Sequence, residues 1–229
     1  MALFAIGDTH LSFGTDKPMD KFSGWENYVA RMEQNWRKLI SPEDTVVIPG
    51  DISWGMTLEE VRPDFQWFED LPGTKLIGKG NHDYWWATRR KMDAYFAEKG
   101  FSTLRVVHND AVACEGVAVC GTRGWFFDDE TPHSDKVINR ECGRLRTGIE
   151  AAKATGKEPL VFLHYPPVTV DRECGPIMDV LRESGIRTCY YAHLHGNAIG
   201  HAFRGERDGI RFDLVSADSM EFCPRLITR

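Results

Sequence analysis

The chain has no run of apolar residues long enough to span a bilayer, which excludes an integral membrane protein of the helical kind. Positive charge is also in short supply: 28 Lys and Arg stand against 34 Asp and Glu, a formal net charge of −6. That balance lacks the electrostatic footprint of a nucleic-acid or anionic-membrane binder, so any phosphate group must be met by local cations or metal ions. The six cysteines are scattered and form no Cys-x-x-Cys pair. This excludes a thiolate zinc site and a disulfide framework, and leaves small buried hydrophobes in a reducing compartment. The opening stretch "MALFAIGDTH" has no basic residues ahead of its apolar run, which breaks at Gly7-Asp8. A cytoplasmic protein is therefore expected rather than a secreted one. Repeats and low-complexity tracts are lacking too, and residues 1–229 read as a single domain.

What is present is an alternation of short apolar runs with helical periodicity. "ALFAI", "TVVIP" and "TKLIG" predict buried strands. Between the first two, Trp25, Tyr28, Met32, Trp36 and Ile40 share one helix face. "TLEEVRPDFQWFEDL" predicts a second helix, kinked or restarted at Pro63. A third is expected after "GNHD", with Asp83 as its cap and Trp85 on its apolar side. The middle of the chain holds the closely spaced strands "TLRVV", "DAVAC" and "VAVCG", the last two joined by a turn at Glu115-Gly116. A helix near 135–154, "LVFLHY", a helix near 175–184, "TCYYA" and "IRFDLVSA" complete the pattern. Parallel βαβ units followed by hairpins predict an α/β fold of two packed sheets with helices outside.

Polar residues collect where the strands stop. Asp8-Thr9-His10, Gly50-Asp51, Asn81-His82-Asp83, His164 and His193-Leu194-His195 each follow an apolar run. Taken singly, each is more often a turn, a cap or a hydrogen-bonded surface residue than a ligand. Five such deliveries at strand ends, where open α/β sheets bind ligands, point instead to one shared site. Hard oxygen and borderline nitrogen donors without thiolate suit Mn²⁺, Fe or Zn²⁺. Asp8, His10, Asp51, Asn81, His164, His193 and His195 are too many for one catalytic ion and suit two divalent or trivalent ions sharing a carboxylate.

The ordered set Asp8-x-His10, Gly50-Asp51, Gly80-Asn81-His82-Asp83, His164 and Ala192-His193-Leu194-His195 resembles the calcineurin-like metallophosphoesterases. The resemblance implies a four-layer αββα sandwich of two mixed sheets flanked by helices. It implies one metal on Asp8, His10, Asp51 and His195 and a second on Asp51, Asn81, His164 and His193, with Asp51 bridging. His82 matches the family's catalytic histidine, which binds no metal. The chemistry expected is phosphate-ester hydrolysis by a metal-bridging hydroxide, with His82 protonating the departing oxygen. Many relatives continue the second motif with an Asp that pairs with this histidine and then an Arg. Here the chain reads "GDISWG", with Trp54 in the place of that Asp, which argues against a protein-phosphatase-type site.

Small phosphodiesters or nucleotides are the expected substrates. A phosphomonoesterase or pyrophosphohydrolase on the same metals is the alternative enzyme, and a non-catalytic metal-binding scaffold is the alternative outside enzymes. Arg123, Trp125 and Trp54 are the candidate substrate contacts, with residues 121–135 as the candidate specificity loop.

Overall fold

The computed structural model describes residues 1–114, 116–125 and 135–228. Glu115 of the expected turn and residues 126–134 of the expected specificity loop lie outside the described residues.

Strands β1 (Leu3–Ala5), β2 (Thr45–Ile48), β3 (Thr74–Ile77) and β4 (Leu104–Val106) form a parallel sheet in that order. Strands β5 (Ala111–Ala113), β6 (Val117–Thr122), β7 (Glu158–Leu163), β8 (Thr188–Tyr191), β9 (Gly205–Arg207), β10 (Ile210–Leu214) and β11 (Arg225–Thr228) follow along the chain. β11 closes the first sheet antiparallel to β1, and the second sheet runs β5-β6-β7-β8-β10-β9. Both sheets are mixed: β6, β7, β8 and β10 are parallel, with β5 and β9 antiparallel at the edges.

Alternation along the strands sorts side chains into layers. Phe4, Val46, Ile48, Ile77, Leu104 and Val106 face helices α1 (Tyr28–Leu39), α2 (Leu58–Glu69) and α3 (Arg89–Lys99). Leu3, Ala5, Val47 and Leu76 face the other sheet, meeting Val119, Leu160, Phe162 and Val215. Beyond the second sheet, Leu145 and Ile149 of α4 (Asp135–Ala154) and Ile177 and Leu181 of α5 (Gly175–Glu183) complete the outer core. This is the expected sandwich of two sheets flanked by helices.

Two local expectations, the cap at Asp83 and the place of Trp85, are corrected. Pro63 lies inside a single helix, whose start is fixed by Thr57 accepting the Glu60 amide. Asp83 caps no helix: α3 begins six residues later, with Thr88 as its cap. Trp85 therefore precedes α3, and its ring packs edge-on against Phe65, buried in the core. The strand "TLRVV" is β4, which pairs with β3, and the chain changes sheets before β5. Among the described residues no helix is long and apolar enough to cross a membrane.

Away from the polar edge, Lys75 of β3 is completely buried, its Nζ donating to the Leu71 carbonyl and, at 3.2 Å, to Thr103 Oγ1. Burial pulls its pKa from the ordinary 10.5 to about 8. Between those two values the unfolded chain holds the proton that the folded chain has released, so stability rises with pH across this window. Lys75→Met should remove a rise of about 2–3 kcal/mol, seen by comparing urea midpoints of parent and variant at pH 7 and pH 10.

Candidate metal centre

The loops after β1 and β2 stay paired beyond the strands themselves. Asp8 N donates to Gly50 O at 3.1 Å, His10 N to Asp51 O at 3.0 Å and Leu11 N to Ile52 O at 2.9 Å. To keep this pairing while turning out of the sheet, Asp8, His10 and Asp51 adopt left-handed backbone with φ of 53°, 43° and 52°. His193, after β8, does the same at 73°. Non-glycine residues pay an energetic cost there, and such strain concentrates at functional sites.

The Asp83 carboxylate secures this arrangement. It accepts from Asp51 N at 2.9 Å, Ile52 N at 2.9 Å and Gly80 N at 2.7 Å, fully buried. The "GD" and "GNHD" loops are drawn so close that a Cβ on Gly80 would stand 2.0 Å from Asp51 Oδ1. No side chain other than hydrogen fits at that position. With Asp83 so engaged, it is not the partner of the His82 ring.

The expected ligands meet in the space so framed. Donor atoms of Asp8, His10 and Asp51 lie within 4.8 Å of one another, as do those of Asp51, His164 and His193. Asp51 belongs to both trios. Its Oδ1 accepts the His82 amide at 2.8 Å, while Oδ2 lies 3.8 Å from His10 Nε2 and 3.5 Å from His164 Nε2. Asn81 Oδ1 and His164 Nε2 face each other at 2.7 Å. His195 sits with its ring 5.3 Å from that of His10, beside the first trio and outside it. His82 stands 5.8 Å from the His10 ring, also outside both trios.

Several of these atoms are buried without any hydrogen-bond partner: Asp8 Oδ1, both nitrogens of His10, Asp51 Oδ2 and His164 Nδ1. Orphaned buried polar atoms are costly and rare, and a cluster of lone-pair donors turned on one space suits cations. Burial acts on the charge of these groups in the same sense. Burial lifts Asp8 to about 7, against the pull of Ser216 and the His193 amide, and pushes Asp51 well above the carboxylate range. Burial and neighbouring imidazoles hold His10 and His164 well below the ordinary 6.5, and His193 at about 4. The site thus resists carrying uncompensated charge of either sign and keeps its imidazoles neutral, the form that binds metal.

Of the expected substrate contacts, Trp54 adjoins His10 and His82, at centroid distances of 4.8 and 4.5 Å. Arg123 and Trp125 lie by the second trio. The Arg123 guanidinium stands 5.3 Å from the Trp125 ring and 5.9 Å from that of Tyr165, which packs on His193 at 4.5 Å. Sequence reasoning missed Ser216, fully buried beside Asp8, and Asp218, whose Oδ2 accepts the Gly196 amide at 2.7 Å. The signal was available: both follow the strand "IRFDL", as the other site residues follow theirs.

Two trios of candidate metal donors thus stand at the carboxyl edge of a two-sheet sandwich. The family model for calcineurin-like phosphoesterases matches residues 1–197, and the chain belongs to that family. It is a metal-dependent phosphoesterase. Gene 66 protein of Mycobacterium phage L5 is 38% identical over 58 residues, 25% of this chain and 28% of that protein's length. Among solved structures, the phosphopantetheinyl hydrolase PptH of Mycobacterium tuberculosis has a TM-score of 0.56 at 15% identity, covering 99% of this chain and 95% of that one. Protein AQ665 of Aquifex aeolicus, of unknown function, has a TM-score of 0.53 at 17% identity, with 98% and 95% covered. At such identities the two structures speak for the fold.

Asp83→Asn replaces an acceptor of three amides by a group that places an N–H against one of them. The variant should lose about 2–3 kcal/mol of stability in urea denaturation. Its Mn²⁺ content after dialysis should fall with it, because Asp51 is no longer held.

Proposed function

We propose that the chain hydrolyses small phosphodiesters or nucleotide-like phosphate esters at a dinuclear metal site. The observation carrying this reading is the cluster of orphaned, buried oxygen and nitrogen donors, with a histidine beside it that belongs to neither trio. Asp8, His10, Asp51 and His195 would hold one ion, and Asp51, Asn81, His164 and His193 the other. Mn²⁺ is the first choice, with Fe or Zn²⁺ also suited to this donor set. When bound, such ions supply Lewis-acid neutralisation of the phosphate oxygens and acidify water.

The chain's own contribution is orientation and proton delivery. The amide of His82 is fixed on Asp51 Oδ1, so its imidazole is carried at a set distance from the carboxylate common to both trios. From there it protonates the departing oxygen, an effect typically worth ~10²–10⁴-fold. Arg123, packed on Tyr165 and Trp125, would grip a second anionic group, and Trp125 offers a face to a base or aryl ring. The net charge of −6 favours small substrates over nucleic-acid chains. All six cysteines are free, in keeping with a cytoplasmic setting.

Arg123 also favours a second reading, a phosphomonoesterase or pyrophosphohydrolase, since a terminal phosphate carries the extra charge a guanidinium would bind. Aryl phosphomonoester and phosphodiester assays under Mn²⁺ rank the two, and the diester should turn over faster. His82→Ala should lose ~10²–10⁴-fold in kcat on a phosphodiester with an alkyl leaving group while retaining the parent metal content by elemental analysis. Hydrolysis of that alkyl ester at the parent rate would show that His82 has no such role.

A further inference from the structure

The imidazole of His82 has no carboxylate to orient it among the described residues. Its neighbour Asp83 is committed to three backbone amides, and the position where many relatives carry a partnering Asp is occupied by Trp54. The contacts that the ring does make are aromatic: Trp54 at 4.5 Å, His10 at 5.8 Å and Tyr84 at 6.2 Å. Tyr84 is largely exposed, whereas Trp54 is half-buried and His10 fully buried.

Trp54 is itself firmly held. Its amide donates to Leu11 O at 2.9 Å, which ties it to the loop that carries His10. The preceding Ser53 is fixed through its hydroxyl to the buried Asp64 and pairs with Leu11. The indole stacks on the His10 ring at 4.8 Å with 21° between the planes, and Lys17 Nζ stands over the indole at 5.4 Å. Its Nε1 is buried without an acceptor, so the ring acts through its shape and faces rather than through a hydrogen bond. Trp54, His10 and His82 therefore form a triangle of rings in which the indole spans a metal-site imidazole and the proton donor.

We infer that Trp54 is the positioning residue for His82, fixing by ring packing the orientation that a carboxylate would fix by hydrogen bonding. The inference rests on the general-acid reading of His82. An indole differs from a carboxylate in a way that matters here: it restrains the imidazole without adding negative charge beside the phosphate. Small misplacements of a reacting group are expensive, on the order of 10²-fold in rate for an ångström.

The test uses two phosphodiesters differing only in the leaving group, one an alkyl alcohol that needs its oxygen protonated and one 4-nitrophenol that does not. Parent, His82→Ala, Trp54→Ala, Trp54→Phe and the His82→Ala/Trp54→Ala double variant are compared, each with its Mn²⁺ content measured. Trp54→Ala should lose ~10²-fold in kcat on the alkyl ester, only ~3-fold on the nitrophenyl ester, and leave KM and metal content unchanged. Trp54→Phe should recover most of the loss, and the double variant should be no slower than His82→Ala alone. Equal loss on both esters, a raised KM with kcat intact, loss of metal, or additive loss in the double variant would each overturn the positioning role. If His82→Ala turns over the alkyl ester at the parent rate, the general-acid reading falls as well. If His82→Ala is impaired and Trp54→Ala is not, only the positioning role falls.

Discussion

The centre of this molecule depends on one buried carboxylate that is not itself a candidate ligand. Asp83 gathers the amides of Gly80, Asp51 and Ile52, and so pins the loop after β3 to the loop after β2. Three charge-assisted hydrogen bonds in a dry setting offset the cost of burying the group, although burial still lifts its pKa to about 6. Once that clamp is made, Asp51 is aimed at the common space, the His82 amide finds Asp51 Oδ1, and Asn81 is brought opposite His164. The left-handed turns at Asp8, His10 and Asp51 are stable because the cross-loop hydrogen bonds over-determine them.

Much of this was legible in the sequence, for identifiable reasons. The strands were readable because each is a short β-branched or aromatic run that ends at a turn, and the site was readable because those ends carry donors of one chemical type. Residues 135–154 were recognisable as a helix from Ile138, Leu145, Ile149 and Ala152, which are all buried. The errors arose where a residue has two plausible local roles. Asp83 ahead of "YWWATRR" reads as a cap, yet the nearby amide of Gly80 and the sequence-distant amides of Asp51 and Ile52 take its carboxylate instead. Trp85 sits at helical spacing from Met92 but belongs to a connecting segment, because Thr88 is the better cap. β9 and β11, "GER" and "RLIT", lack the buried apolar run that marks other strands of the same length. They are edge strands whose pairing is decided by tertiary contact rather than local propensity.

The aromatic residues divide by the same logic. Sequence offers no means to tell a tryptophan that stacks a ligand from one that fills the core, since both stand near the same strand ends. Packing separates them. Trp85 is sealed against Phe65, Trp25 lies against Tyr28 and Phe222, and Trp125 shares Arg123 with Tyr165. Trp25 also reaches His10 and His195, at 5.9 and 6.2 Å, whereas Trp54 joins His10 to His82.

The two donor trios have different parentage. Asp8, His10 and Asp51 all come from the first sheet, whereas the other trio takes Asp51 from the first sheet and His164 and His193 from the second. The sheets meet near this edge through the bridge between Gly7 and Ser216, and through the His193 amide on Asp8 Oδ2 at 2.8 Å. The first trio can therefore exist as soon as one half of the sandwich has folded, but the second exists only when both halves are docked in register. A cation held by the second trio is thus a clasp between the halves, and its affinity includes the free energy of closing the sandwich.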